Sequence, residues 1–491
     1  MESKKLGRND PCHCGKKDAD GKIKKYKYCC LLKDEENAKR KEKVTYIKAN
    51  FRRLMISGPY KQCPNPACSD PNSFGVFTPM GDQKGYSREC IKCGHQQGYS
   101  FPKIKKKILY LDQFVISNLI KLLDKSHPSH AKIKSDPFWS ALFIKLEAAT
   151  RSQAIVCPDS YYHRDESLTG KTDFKLMKRL YEHFSSGKTL HPSFEIEHMQ
   201  IAQHFEKWLA GEKTEFDFKA RNITSEDLDT WSVGLRVSVN MRPYPGEIDN
   251  LNKVNTSSRE QLKELWTTWQ NTKNFNFLNQ IKEETLGLGK GLLSEVQKFS
   301  KRRQEIMTKF ASGQNDFDLE DLLPPPANSL LEHLLRVAKS KGLSDQEAPV
   351  ILVRYFRDVD VLLEIPKIHI SSVMFASLAR NAALGKKKSP KSLNDVGFIS
   401  SYLPYCDALF VDIESAGILR ELPKETPPHL RFKKFEAKVF SLNEKEQFLS
   451  YLDQVVKEIP SDQLEVLKDL EGEDYTKPYW SIIEQEKMEK D

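Results

Sequence analysis

"LNDVGFISSYLPYCDALFVDIE", residues 393–414, decides the fold. Its run ALFV at 408–411 is short, apolar and bounded by polar residues, which is how a buried strand reads. An acid stands at each end of that run, Asp407 and Asp412, and a third, Asp395, opens the helical stretch before it. Strands end in polar residues in any protein, so for each acid alone the plainer reading stands. The sharper reading is that carboxylates converge at a sheet edge to hold a divalent metal, since hard cations take carboxylate oxygens.

The same texture recurs upstream. ILYL at 108–111 runs into Asp112 and then into helical periodicity, and a second helix fits 137–150. AIVC at 154–157 is a strand candidate, and PDSYYHRDESL opens a helix with Pro158 and Asp159 as start signals. Downstream come a helix over 371–384, a basic loop, a helix near 394–403, the strand ALFV, a helix over 413–420, a strand at 437–441 and a helix over 443–457. Strands alternating with helices predict an α/β domain with a parallel sheet. Between its halves, residues 171–365 read as helices throughout. In an open α/β sheet, ligands bind beyond the carboxyl ends of the strands. Asp112, Glu166, Asp395, Asp407 and Asp412 are therefore candidates for one cleft. Asp159, His163 and Glu166 share a helical face at i, i+4 and i+7. Asp112, Asp159 and Asp412 also stand where a helix cap belongs.

The 491 residues allow roughly three domains. Lys and Arg number 77 against 68 Asp and Glu, a net charge of +9, which alone is only a weak pointer to nucleic acid. No apolar run is long enough for a membrane span, and the amino-terminal stretch lacks the apolar core of a signal peptide. The expectation is a cytoplasmic protein with no membrane partner.

Eight of the ten cysteines lie in the first 93 residues, in close pairs. In a cytosolic chain such pairs bind zinc more often than they form disulfides. Cys12, Cys14, Cys29 and Cys30 form one set, C-x-C followed by CC. Cys63, Cys68, Cys90 and Cys93 form the other, C-x4-C and C-x2-C across a 21-residue gap. Four thiolates close a tetrahedral structural Zn²⁺ site. Both segments are poor in large apolar residues, so metal would replace the missing core. Tyr86, Tyr99 and Phe101 can stack on bases or fill the small core of their module. Cys157 and Cys406 stand alone beside apolar runs and read as core residues.

Three resemblances follow from these residues. GRNDPCHCGKK with KKYKYCC, residues 7–30, resembles the SEC-C motif, although the Cys14–Cys29 loop is longer than usual and His13 replaces a proline. That resemblance implies a small zinc-stabilised module contacting RNA or protein partners. The second cysteine set resembles a zinc ribbon. ILYLDQFVISNL, AIVCPDSYYHRDES and NDVGFISSYLPYCDALFVD resemble, in order, the opening, second and closing blocks of the PIN domain. The PIN resemblance implies a metal-dependent nuclease fold that hydrolyses RNA phosphodiesters with Mg²⁺ or Mn²⁺. It assigns Asp112, Glu166, Asp407 and Asp412 as metal ligands and leaves open whether Asp395 or Asp407 fills the third acidic position.

The expected organisation is a SEC-C-like motif (1–35), a helical connector (36–60), a zinc ribbon (61–103), a PIN-like domain in two halves (104–170 and 366–460) split by a helical insertion (171–365), and an acidic tail (461–491). Ser160 orients phosphate or caps its helix, the cap being favoured. His163 touches substrate or packs. Lys386, Lys387 and Lys388 draw RNA in or form a solvated loop. The expected activity is that of an endoribonuclease, and a conditional toxin or antiviral effector suits the domain combination. The competing readings are a non-catalytic RNA- or ribosome-associated adaptor and a DNA or flap-structure nuclease, because a carboxylate–metal centre reads phosphate and not sugar.

Overall fold

The computed structural model describes residues 9–12, 14–17, 20–30, 56–79, 84–169, 174–224, 226–232, 246–312, 323–386 and 392–476. The chain divides into two compact units.

The first unit comprises residues 1–101, 233–237 and 469–472. Its sheet is an antiparallel meander of β1 (Ile56–Lys61), β2 (Phe74–Pro79), β3 (Gly85–Cys90) and β4 (Gln96–Ser100). The expected helical connector thus gives way to strand by Ile56; residues 31–55 lie outside the described residues. Its apolar cluster is tiny: Cys63, Phe74 and Cys90, with Cys68 and Tyr99 against them. Tyr86 is buried, stacks on Tyr99 at 5.1 Å and meets Phe101 at 5.3 Å. These rings fill the interior of their own module. Arg88 is fully buried, and its guanidinium donates to Asp469 and to the Pro59 carbonyl, so its charge is compensated inside the unit.

The second unit holds a four-stranded parallel sheet of order β6-β5-β7-β8. The strands are β5 (Lys107–Leu111), β6 (Ile155–Val156), β7 (Ala408–Phe410) and β8 (Lys438–Phe440). β5 is central and pairs in register with β7, Leu109 to Ala408 and Leu111 to Phe410. Successive side chains leave opposite faces of a strand. Leu109, Leu111, Ala408 and Phe410 therefore enter one core with the helices Gln113–Leu123, Pro137–Arg151, Phe174–Ser185 and Lys445–Lys457. Ile108, Tyr110 and Leu409 enter another with the helices Glu247–Gln270, Pro366–Ala383 and Ser392–Tyr402. Burial on both faces explains why ILYL and ALFV read as unbroken apolar runs.

The helical stretch expected as an insertion shares this core. The helix Pro366–Ala383 is buried almost all round, against Phe277–Ala311 on one side and Ser392–Tyr402 on another. A third cluster built on Phe205, Leu334 and Tyr355 continues it. The expected acidic tail starts as a helix, Ser461–Glu471; residues 477–491 lie outside the described residues. Cys157 and Cys406 are buried, as expected of core cysteines, and burial pushes both thiols well up. No helix among the described residues is long and apolar enough to cross a membrane.

Candidate metal centres

Three groups of ligand-bearing side chains come together, two of thiols and one of carboxylates. In the first, Cys12 and Cys14 lie two residues apart on a stretch whose backbone pairs Pro11 with Lys25 and Lys17 with Ile23. Gly15 and Gly21 take left-handed φ values of 69° and 76°, which lets the chain reverse there without a Cβ penalty. Cys29 and Cys30 follow the single turn Tyr26–Tyr28. Sulfur separations are 3.4 Å for Cys12–Cys14, 3.2 Å for Cys14–Cys29 and 3.9 Å for Cys29–Cys30. In the second group Cys63 is 3.6 Å from Cys93, and Cys68 is 3.9 Å from Cys90. Tetrahedral zinc with bonds of ~2.3 Å sets sulfurs about 3.8 Å apart. The residues fit the ion, and all eight thiols are free of disulfides. One thiol in each tetrad is held down to about 6: Cys14 by a backbone hydrogen bond at Lys16 and by its neighbouring thiols, and Cys90, against its burial, by Ser73 and backbone N–H groups. His13 lies outside the described residues.

The third group is Asp112, Asp395 and Asp412, each half-buried, with ligand oxygens within 4.8 Å of one another. Asp112 follows β5 directly and stands at the N-cap of Gln113–Leu123; its own N–H donates to the Phe410 carbonyl. Asp412 ends the run from β7 and caps Ile413–Arg420. Its Oδ1 accepts from the backbone N–H of Glu414 (2.8 Å) and Ser415 (3.1 Å). Its Oδ2 is buried and has no hydrogen-bond partner. A buried carboxylate oxygen left without a donor is costly, so a cation at this place would satisfy it. Asp395 comes from the first turn of Ser392–Tyr402. Two oxygens span at most about 4.2 Å across one Mg²⁺ with ~2.1 Å bonds, a distance that small side-chain rotations reach.

Glu166 is outside the triad but tied to it: its Oε1 accepts from Asn394 Nδ2 at 3.0 Å, the residue next to Asp395. Asp407 is placed elsewhere. It precedes β7, while Asp412 follows its carboxyl end, five residues away or roughly 16 Å along an extended chain. Its carboxylate accepts from Lys107 Nζ (2.9 Å) and from the Ile108 N–H (2.8 Å). It cannot share an ion with Asp412, and Asp395 supplies the third acid. The physical reason is strand polarity: only one end of β7 faces the triad.

Ser160 is buried and accepts from the His163 N–H at 3.3 Å, the favoured capping arrangement. His163 is also buried, stacked between Tyr110 (4.8 Å) and Tyr181 (4.3 Å). Its Nε2 donates to the Leu111 carbonyl at 2.8 Å, so it fixes the chain one residue before Asp112. Lys386 is exposed; Lys387 and Lys388 lie outside the described residues.

Two acids near the cluster were not singled out from sequence. Burial pushes Asp165 up to about 6, with Glu247 and Glu166 adding to the effect and Arg164 opposing it. Burial and the Asp412 charge raise Glu414, and Lys386 opposes them. Asp165 adjoins Glu166 and Glu414 stands two residues after Asp412, both chosen residues, which was the available signal. Asn394 gave none, because an amide beside an acid is unremarkable in sequence.

No protein-family model matches this chain, and neither the curated proteins nor the solved structures compared with it provide a significant match.

Proposed function

We propose that this chain is a metal-dependent nuclease that hydrolyses RNA phosphodiester bonds at Asp112, Asp395 and Asp412. One observation carries the reading: Asp112 and, from nearly three hundred residues further along, Asp395 and Asp412 converge at the carboxyl edge of a parallel sheet, one of them with an unsatisfied buried oxygen. These three residues would hold Mg²⁺ or Mn²⁺. Such an ion supplies an activated water and neutralises charge on a phosphate.

The protein's own groups have separate tasks. Asp112 and Asp412 are set by the ends of adjacent paired strands, so their spacing is fixed by the sheet register. Glu166 holds Asn394 and with it the first turn that carries Asp395. His163 positions the strand end ahead of Asp112. Asp412 keeps its backbone donors on Oδ1 and leaves Oδ2 for the ion. The two cysteine tetrads hold structural zinc, and their modules recruit RNA or a protein partner.

The test is incubation of the zinc-loaded full chain with labelled RNA and with single-stranded DNA, with Mn²⁺ or Mg²⁺, beside an Asp112→Asn/Asp412→Asn variant. RNA cleavage that needs the added metal and vanishes in the variant is expected. Cleavage retained by the variant would reject the site, and cleavage of DNA alone would reject the substrate class.

A further inference from the structure

At the opposite, amino-terminal edge of the same sheet lies a cavity of about 1310 Å³. Its walls come from the starts of β5 and β8, residues 218–221, 224, 226–229, 404–407 and 434–437, and the helix Lys445–Lys457. It exceeds the ~300–1,000 Å³ of ordinary small-molecule sites, so volume does not restrict it to a small ion.

The lining is chemically uneven. Five of its six carboxylates already accept a hydrogen bond from the protein. Asp407 takes Lys107 Nζ and the Ile108 N–H, and Asp229 takes the Lys106 N–H. Asp227 takes the Asp229 N–H, Glu226 takes Lys188, and Glu458 takes Gln454. Glu436 is the sixth. Of the cations, Lys107, Lys219 and Arg221 pair with Asp407 or Asp217. Lys434 and Lys438, both solvent-exposed, have no carboxylate partner among the described residues. Each lies instead over an aromatic ring, Lys434 at 5.2 Å from the Phe435 centroid and Lys438 at 5.0 Å from that of Tyr451. Partial desolvation of its ammonium lowers the Lys434 proton affinity.

Tyr451 adds an independent observation. It lines the cavity, is only 7% exposed, and its hydroxyl has no hydrogen-bond partner. A buried hydroxyl is normally satisfied, and an orphan one costs its full desolvation. A ligand seated in the cavity that Tyr451 lines can supply the acceptor, once the side chain turns its buried hydroxyl toward it. A terminal phosphate can do this, being narrow and carrying three oxygens. An internal phosphodiester cannot follow as easily, because a nucleoside flanks it on each side. Ile108, Phe218, Leu228 and Val455 give the remaining wall an apolar character.

We propose that this cavity is a second site, separate from the carboxylate triad, which takes a small phosphorylated ligand of the nucleotide class, its terminal phosphate meeting Tyr451, Lys434 and Lys438 and its base meeting the apolar wall. The proposal does not depend on the nuclease reading, since the two sites share no residue.

Calorimetric titration of the zinc-loaded full chain, without added divalent metal, tests it with ATP, tripolyphosphate, adenosine and a 5′-hydroxyl RNA oligonucleotide. ATP is expected to bind more tightly than the other three, and equally to wild type and to Asp112→Asn/Asp412→Asn. Tyr451→Phe is expected to weaken ATP about tenfold, one hydrogen bond's worth, and Lys434→Ala/Lys438→Ala to weaken it further. Without ligand, Tyr451→Phe should melt no lower than wild type, because it removes only an unpaired group; this control separates lost binding from lost folding. Absence of saturable ATP binding, binding indifferent to both variants, tripolyphosphate binding as tightly as ATP, or preference for the oligonucleotide would each overturn the proposal.

Discussion

Asp412→Asn separates what the carboxylate triad costs the fold from what it does for a metal. In the metal-free protein three carboxylates face one another with oxygens within 4.8 Å. At that separation a pair of like charges repels by about 1 kcal/mol at the dielectric of water and about 3.5 kcal/mol at an effective dielectric of ~20. The triad is half-buried, so the repulsion lies between these limits, and removing one charge relieves two pairs, at least about 2 kcal/mol. Asparagine keeps the cap, because its amide oxygen can accept from the Glu414 and Ser415 N–H groups as Asp412 Oδ1 does. What is lost is the favourable charge at a helix N-terminus, about 0.3–1 kcal/mol. The metal-free variant should therefore be more stable than wild type by at least about 1 kcal/mol. With Mn²⁺ the order reverses. A ligand at a hundred times its dissociation constant adds about 2.7 kcal/mol to the protein that binds it, and the variant has lost a ligand and the charge that attracts the ion. Thermal melts of zinc-loaded protein across a Mn²⁺ titration, without chelator, give both numbers. A metal-free variant that melts well below wild type, or one that gains as much from Mn²⁺, would refute the electrostatic account of the triad.

Asp165 gives a pH prediction. Its folded-state affinity is raised from 3.8 to about 6, so the native protein binds the proton more tightly than the unfolded chain. Stability from this group is present below about pH 4 and is lost as pH rises through about 6. Asp165→Asn should leave stability at pH 4 unchanged and raise it above pH 6, by up to about 3 kcal/mol; equal gains at both pH values in denaturant titrations would contradict this. Zinc removal is the third case. The apolar cluster of the β1–β4 sheet has three buried members, two of them cysteines, so a strong chelator or Cys63→Ser/Cys90→Ser should unfold β1–β4 while leaving the parallel-sheet unit intact. Hydrogen exchange resolved by peptide reads this directly, and protection of β2 and β3 that survives zinc loss would show that the tetrad is not what holds this sheet.

The parallel sheet was legible because its strands are buried on both faces and short. ILYL and ALFV carry no polar interruption, and each meets an aspartate where a helix begins. Asp112 and Asp412 were legible for the same reason. Asp407 was misplaced although it precedes its strand, because grouping both acids that flank ALFV set aside the rule that the cleft lies at the carboxyl ends. Strand direction, fixed by the parallel pairing of β5 with β7, decides which end that is. β1 was hidden by its own composition: ISGPYK places Gly and Pro inside a strand, where both are disfavoured, and only its pairing with β2 overrides that. The helix Pro366–Ala383 was visible as a helix, but its role was not, since a helix buried on nearly every side has no polar face to point outward. Tyr451 had no signal at all, because an unsatisfied hydroxyl exists only once its neighbours are in place.

Strand polarity also explains why one small sheet can carry two sites of opposite chemistry. At the carboxyl edge the chain turns from strand to helix at Asp112 and Asp412, so acids fall there as caps and converge because β5 and β7 are adjacent. At the amino edge the chain enters each strand from a loop, and Lys107, Asp407 and Lys438 stand at or just before the entries of β5, β7 and β8. There the Lys107–Asp407 pair neutralises the acid and leaves Lys438 to face the cavity. The two edges are joined by strands of two to five residues whose side chains are packed between helices on both faces. Interiors of this kind do not deform gradually. A ligand seated on Lys438 and Tyr451 would bear on β8, which pairs with β7, the strand whose far end presents Asp412. If the cavity and the triad are coupled, the effect must therefore travel as a shift of β7 and β8 together. ATP would then change the Mn²⁺ affinity of the triad, and Mn²⁺ the ATP affinity of the cavity, by the same factor.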